Sequence, residues 1–145
     1  MDHKMLLSKE LSNIYAIYKQ VNKFLDGSDI HFLSEQHQLL LMDYLKTLCK
    51  SEGDISNMLE KLQFNPTNTV DSIIEEITEN LREITNQDIS DQVKSSGYRM
   101  SMNRLLAYQI ANLENAQHIG DGLLDTGAIS EMISSTTSIK ERLWN

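Results

Sequence analysis

A single proline, Pro66, interrupts 145 residues, and only six glycines accompany it. Proline removes a backbone donor, and glycine costs about 1 kcal/mol relative to alanine inside a helix. A chain this poor in breakers suits long helices and suits a fold of short strands and turns badly. The expected class is all-α, as one domain over 1–145, long enough to bury a core.

The apolar pattern supports this. Leu7, Leu11, Ile14, Tyr18, Val21 and Leu25 recur at spacings of three and four, one stripe of a helix over Met5–Leu25. Asp26-Gly27-Ser28-Asp29 stops it, with Gly27 suited to a left-handed cap. A second helix is expected over Ile30–Gln63, striped by Leu33, His37, Leu40, Leu41, Tyr44, Leu48, Ile55, Leu59 and Leu62. Ser51 and Glu52 fall where its stripe should pass, and Gly53 predicts close packing or a bend. Asn65-Pro66 ends it.

A shorter helix is expected over Thr69–Thr85, capped from among Thr67, Asn68 and Thr69. Another covers Asp88–Gly120, with Val93, Met100, Leu106, Ile110 and Leu113 inward. The last runs from Thr126 onward. Its polar run Ser134 to Ser138 forms helix poorly, so fraying is expected. Four principal helices, a short accessory one and brief loops read as an antiparallel bundle.

The net charge of −8 argues against nucleic-acid binding, because an acidic surface repels phosphate backbones. Asp71, Glu75, Glu76, Glu79 and Glu83 concentrate the acid around one cation, Arg82. This reads as a solvated helix face, with a docking surface for a basic protein partner over 71–83 as the alternative. One cysteine, Cys49, leaves no internal disulfide, and its neighbours Leu45 and Leu48 suggest a buried thiol in a reducing cytoplasm. No signal peptide or membrane span is read from the pattern, so a soluble cytoplasmic protein is expected.

Bundles that hold two metals need inward carboxylates and Glu-x-x-His pairs, since a spacing of three puts both ligands on one face. No Glu-x-x-His occurs. Glu114 and His118, four apart, share a face and form a weak metal alternative to a surface pair. His37 reads as a rim or interface histidine. Glu52 is the one acid expected to aim at the core, beside Cys49. There it needs a partner or a raised pKa, with Tyr15, Tyr18, Tyr44, Tyr108 and Arg104 as candidates. No nucleophile signature accompanies Cys49, and no Gly-rich loop appears.

The helix order, with Tyr15-Ala16-Ile17-Tyr18-Lys19-Gln20-Val21 and Leu105-Leu106-Ala107-Tyr108-Gln109-Ile110-Ala111, resembles the ferritin-like family typified by the bacterial YciE and YciF stress-associated proteins. The family patterns are Tyr-x-x-Glu-Lys-Gln-Leu and Val-Glu-His-Tyr-Glu-Ile-Ala, and the resemblance covers nearly the whole chain. It implies the ferritin-like fold and dimerisation. Carried over residue by residue, the first-helix glutamate becomes Tyr18. The second-helix Glu-x-x-His becomes Cys49 and Glu52, the third-helix glutamate becomes Leu106, and the last-helix acids fall among Thr136, Thr137 and Ser138.

A site with one oxygen ligand in an apolar, hydroxylic layer should not hold two metals. The expectation is therefore a non-catalytic, metal-free, homo-oligomeric helical module, stress-linked by resemblance. The alternative is a residual iron, manganese or small-ligand site built on Glu52, Cys49, Tyr18 and Tyr108.

Overall fold

The computed structural model describes residues 1–66 and 69–145. Five helices follow in order: α1 (His3–Asp26), α2 (Glu35–Lys61), α3 (Ser72–Asn86), α4 (Asp91–Gly120) and α5 (Gly127–Arg142). No strand occurs among the described residues. α1 and α5 each pack on both α2 and α4, which closes a ring of four helices, and α3 lies against α1 and α4.

Contacts between helices give their directions. Asp43 pairs with Arg142 and Lys50 with Glu131, so α2 and α5 run opposite ways. Leu7, early in α1, lies beside Gly120 at the end of α4, so that pair is antiparallel too. Gln117 meets Ser130, and Arg99 meets Leu143, across the α4–α5 hairpin. The result is the expected antiparallel four-helix bundle with one short accessory helix.

Local chemistry sets the boundaries. The side chains of Asp2, Ser34, Asp71 and Ser90 accept the amides of Met5, His37, Ile74 and Val93, capping the first four helices. Each such cap contributes about 1 kcal/mol. Ser34 therefore starts α2 at Glu35, and the expected start at Ile30 falls in a turn closed by the Leu33 amide on the Ile30 carbonyl. Asp71 caps α3. Of the expected caps, Thr69 precedes it, and Thr67 and Asn68 lie outside the described residues.

Gly27 is not left-handed, its φ being −103°. Positive φ occurs instead at Gly122, 82°, after α4, and at Gln63, 57°, after α2, where Phe64 N donates to Leu59 O and Gln63 N to Glu60 O. That paired closure satisfies carbonyls that a helix end otherwise leaves bare. Gly53 is exposed, and a Cβ there would meet nothing within 4 Å, so close packing is not its role.

One buried cluster draws side chains from all five helices. α5 stays helical through Ser134–Ser138 because Ile129, Met132, Thr136 and Ile139 are buried, and packing outweighs propensity. α4 departs from its expected stripe. Val93 and Met100 are exposed, while Ser95, Tyr98, Ser101, Gln109 and Asn112 face inward. A helix whose inner face is half polar shows no clean apolar stripe, so periodicity alone misplaces its register. Among the described residues, no helix is long and apolar enough to cross a membrane.

Candidate functional site

The inner edge of α2 runs Tyr44, Leu48, Ser51, Ile55 and Leu59, all buried. The stripe therefore crosses the ambiguous stretch at Ser51. Cys49 and Glu52 each follow a stripe residue by one position, which turns a side chain about 100° around the helix. Cys49 is exposed. Glu52 is half-buried and lines a surface hollow with Lys19, Asn22, Lys23, Asp26 and Cys49. The expected core carboxylate and buried thiol are both corrected, and Tyr15 and Arg104 stand clear of any such centre. Arg104 is exposed, and Tyr15 carries the Lys19 ammonium 5.3 Å from its ring.

Tyr18 and Leu106 do reach the interior, where they meet residues that periodicity misses. The layer comprises Tyr18 from α1, Tyr44 and Ser51 from α2, Leu106 and Gln109 from α4, and Met132 and Thr136 from α5, all buried. The Tyr44 hydroxyl donates to Gln109 Oε1 at 2.5 Å. The Tyr18 hydroxyl lies 3.8 Å from Met132 Sδ and within hydrogen-bonding influence of Ser51. Burial pushes both phenols above their ordinary range, and the Tyr18 phenol raises Tyr44 further, so both stay neutral. Thr136 donates inside its own helix to the Met132 carbonyl. Gln109 Nε2 is buried and has no partner among the described residues.

This donor set does not fit two metal ions. It offers phenols, hydroxyls, one amide and one thioether, with no carboxylate and no imidazole. Iron and manganese sites need charged or strongly basic oxygen and nitrogen ligands. Among the described residues, no three His, Cys, Asp or Glu side chains gather where an ion could sit. Glu114 and His118 are both exposed on the outer side of α4.

A second polar centre lies where α3 meets the bundle, and it is built on Asp71. This residue is buried, so it does not belong to the acidic surface that Glu75, Glu76, Glu79 and Glu83 present. Its Oδ1 caps Ile74, and its Oδ2 accepts from Asn13 Nδ2 at 3.0 Å and the Tyr108 hydroxyl at 2.8 Å. Gln20 brackets its backbone, accepting from the Asp71 amide at 2.8 Å and donating to its carbonyl at 3.1 Å. Burial, then the Asp71 bond and charge, holds the Tyr108 phenol above its usual range. Burial, then the same Asp71 charge, raises the Glu10 carboxyl.

No protein-family model matches this chain, and no curated protein matches it. Its backbone superposes on the crystal structure of the E. coli stress protein YciF with a TM-score of 0.90 at 14% identity, covering 99% of this chain and 93% of that one. The chain has the YciF-type ferritin-like fold. At this identity the likeness carries the architecture alone.

The Val-Glu-His-Tyr-Glu-Ile-Ala pattern of the YciE/YciF type places its second glutamate at Gln109, three residues after Leu106. That spacing on one helix face is the available signal for Gln109. On α2, the core-facing pair three apart is Leu48 and Ser51, one residue before the expected Cys49 and Glu52.

Proposed function

We propose that this protein is a non-catalytic, metal-free ferritin-like module that works as a homo-oligomer, most simply a dimer, in the cytoplasm. The observation that carries this reading is the composition of the inner layer. The Tyr44–Gln109 bond, the neutral Tyr18 and the fully buried Leu106 occupy the level at which carboxylates would have to converge. A layer of this kind helps to fix helix register, because the Tyr44 hydroxyl on α2 meets Gln109 Oε1 on α4 in one alignment only. The outer thiol Cys49 stays reduced in a cytoplasmic setting. The structural likeness to a stress protein supports a stress-linked role.

The test is metal analysis of protein expressed with added iron and manganese, alongside light scattering for mass. The expected result is substoichiometric metal and a defined oligomer. Stoichiometric metal that disappears in Gln109→Leu overturns the reading.

A further inference from the structure

The outward side of α4 differs from that of its neighbour α3. Where α3 turns glutamates to solvent, α4 turns one stripe of Met100, Arg104, Ala107, Ala111, Glu114 and His118, all exposed and spaced alternately by four and three. Val93, two turns before Met100, extends the stripe. Val93 is 58% exposed and Met100 48%. A solvated helix face usually carries polar residues at such positions. Among the described residues, neither Arg104 nor Glu114 forms an ion pair within its own chain.

The stripe matches itself when reversed. Two copies of α4 laid antiparallel about a two-fold axis at the level of residue 109 set Arg104 against Glu114 of the second copy, Ala107 against its Ala111, and Met100 against its His118. A two-fold axis repeats every contact, so both charges find a partner in each copy. The two alanines leave room for close approach at the axis, and a crossing angle near 20° keeps the outer pairs within reach. Parallel copies would instead set Arg104 against Arg104 and Glu114 against Glu114.

α3 widens this face. Its row of Ile73, Ile77, Asn80 and Ile84 points at α4, since Ile84 lies 3.8 Å from where a Cβ on Gly97 would sit, and the Ser101 hydroxyl donates to Asn80 Oδ1 at 2.9 Å. Asp71, two residues before Ile73, is held by Tyr108. Ile73, 47% exposed, therefore flanks the stretch from Arg104 to Ala107.

α2 offers a competing face, where exposed Leu39 and Met42 lie between Glu35 and Lys46 and also match in reverse. That match spans only residues 35–46, because α2 begins there, and at 1.5 Å per residue it is about 18 Å long. The α4 match runs over residues 98–120, about 35 Å. A standard interface takes about 800 Å² from each partner, so the longer contact is favoured.

We propose that a second copy of this chain docks on the outward stripe of α4, antiparallel to it, with two reciprocal Arg104–Glu114 contacts fixing orientation and register. This rests on the homo-oligomer reading above and names its interface.

The experiment is sedimentation velocity of the full chain over a concentration series. The parent should form a reversible dimer that weakens as salt rises, since exposed charge pairs are screened. Ala107→Glu puts a charge at the axis on an exposed helical position, so it should raise the dimer dissociation constant about tenfold or more while the melting of the dilute protomer stays unchanged. Arg104→Glu and Glu114→Arg should each weaken the dimer to a similar degree, because each turns two attractions into two repulsions. An equimolar mixture of these two variants should dimerise again. The positions lie ten residues apart in one helix, so their charges can complement each other only between copies. A parent that stays monomeric to about 1 mM overturns the homo-oligomer reading and the interface with it. A dimer that these variants leave intact, one that the mixture fails to recover, or one that Met42→Glu on α2 dissociates instead, overturns the α4 interface alone.

Discussion

The Tyr108 hydroxyl donates to Asp71 Oδ2 at 2.8 Å, and this bond ties the cap of the accessory helix to the main bundle. Asp71 is at once the cap of α3, the acceptor for α4 through Tyr108 and for α1 through Asn13, and the residue whose backbone Gln20 brackets. Asp71→Ala removes a cap worth about 1 kcal/mol and strands two part-buried donors, so it should cost about 3 kcal/mol. Tyr108→Phe should cost about 1–2 kcal/mol. Thermal unfolding of both and of the double variant checks this. The two losses should fall short of adding, because they share one bond. Simple additivity would show that the contact carries no coupling.

The Tyr44–Gln109 pair makes a sharper test of the interior. Tyr44→Phe leaves Gln109 Oε1 without its donor, and Gln109→Leu leaves the Tyr44 hydroxyl without its acceptor. Each single change should destabilise by about 1–3 kcal/mol. The double variant should return close to the parent, since an apolar pair of similar shape leaves nothing unsatisfied. Denaturant midpoints measured at constant slope would read all three values. A double variant no better than the single ones would mean that the layer serves packing and not hydrogen bonding.

The helices are legible in the sequence because stripes of three and four and scarce breakers point one way, while their exact starts at the Ser34 and Asp71 caps are not. The interior site is only partly legible. Periodicity and resemblance bring Tyr18 and Leu106 inward, and both are buried. They bring Cys49 and Glu52 inward as well, wrongly, because a polar stretch between Leu48 and Ile55 gives periodicity no apolar residue to fix on. A one-residue error turns a side chain by about 100°, enough to exchange Ser51 for Glu52. On α4, Gln109 and Asn112 escape notice for a related reason, since they are polar residues on an inner face. The Asp71 hub depends on contacts between residues far apart in the chain, which no local pattern records.

The corrected position of Cys49 has a direct consequence. An exposed thiol reacts in the folded state, so a thiol reagent should label native protein at nearly the rate of denatured protein. Cys49→Ala and Glu52→Gln should each shift stability by less than about 0.5 kcal/mol, as surface changes do. Protection of the thiol until unfolding would return Cys49 to the core.

Two backbone positions should be improvable. Gly53 lies in the exposed middle of α2, and an added Cβ there would meet nothing within 4 Å, so Gly53→Ala should stabilise by about 1 kcal/mol. Gln63 holds a left-handed φ of 57° that glycine adopts without strain, so Gln63→Gly should stabilise by up to about 1 kcal/mol. Melting curves of the two single variants and their combination should show additive gains, because they lie ten residues apart in different local settings.

His37 predicts how stability responds to acid. Its ring is buried, with Nδ1 3.0 Å from Ser34 Oγ, and it faces the Arg99 guanidinium and the carbonyls of Leu143 and Asn145. Burial first, then the Arg99 charge, lowers its pKa below the ordinary 6.5, against an upward pull from the two carbonyls. Around and below pH 6.5 the unfolded chain therefore binds a proton that the folded chain refuses, and stability falls with pH until the folded pKa is passed. Arg99 also holds the Leu143 carbonyl at 3.2 Å and lies 5.5 Å from the Trp144 ring, so a proton on His37 sets two cations against one helix end. His37→Gln should flatten the stability profile between pH 6.5 and the onset of carboxylate titration, as read from denaturant midpoints across that range. An unchanged slope in the variant would assign the acid sensitivity to another group.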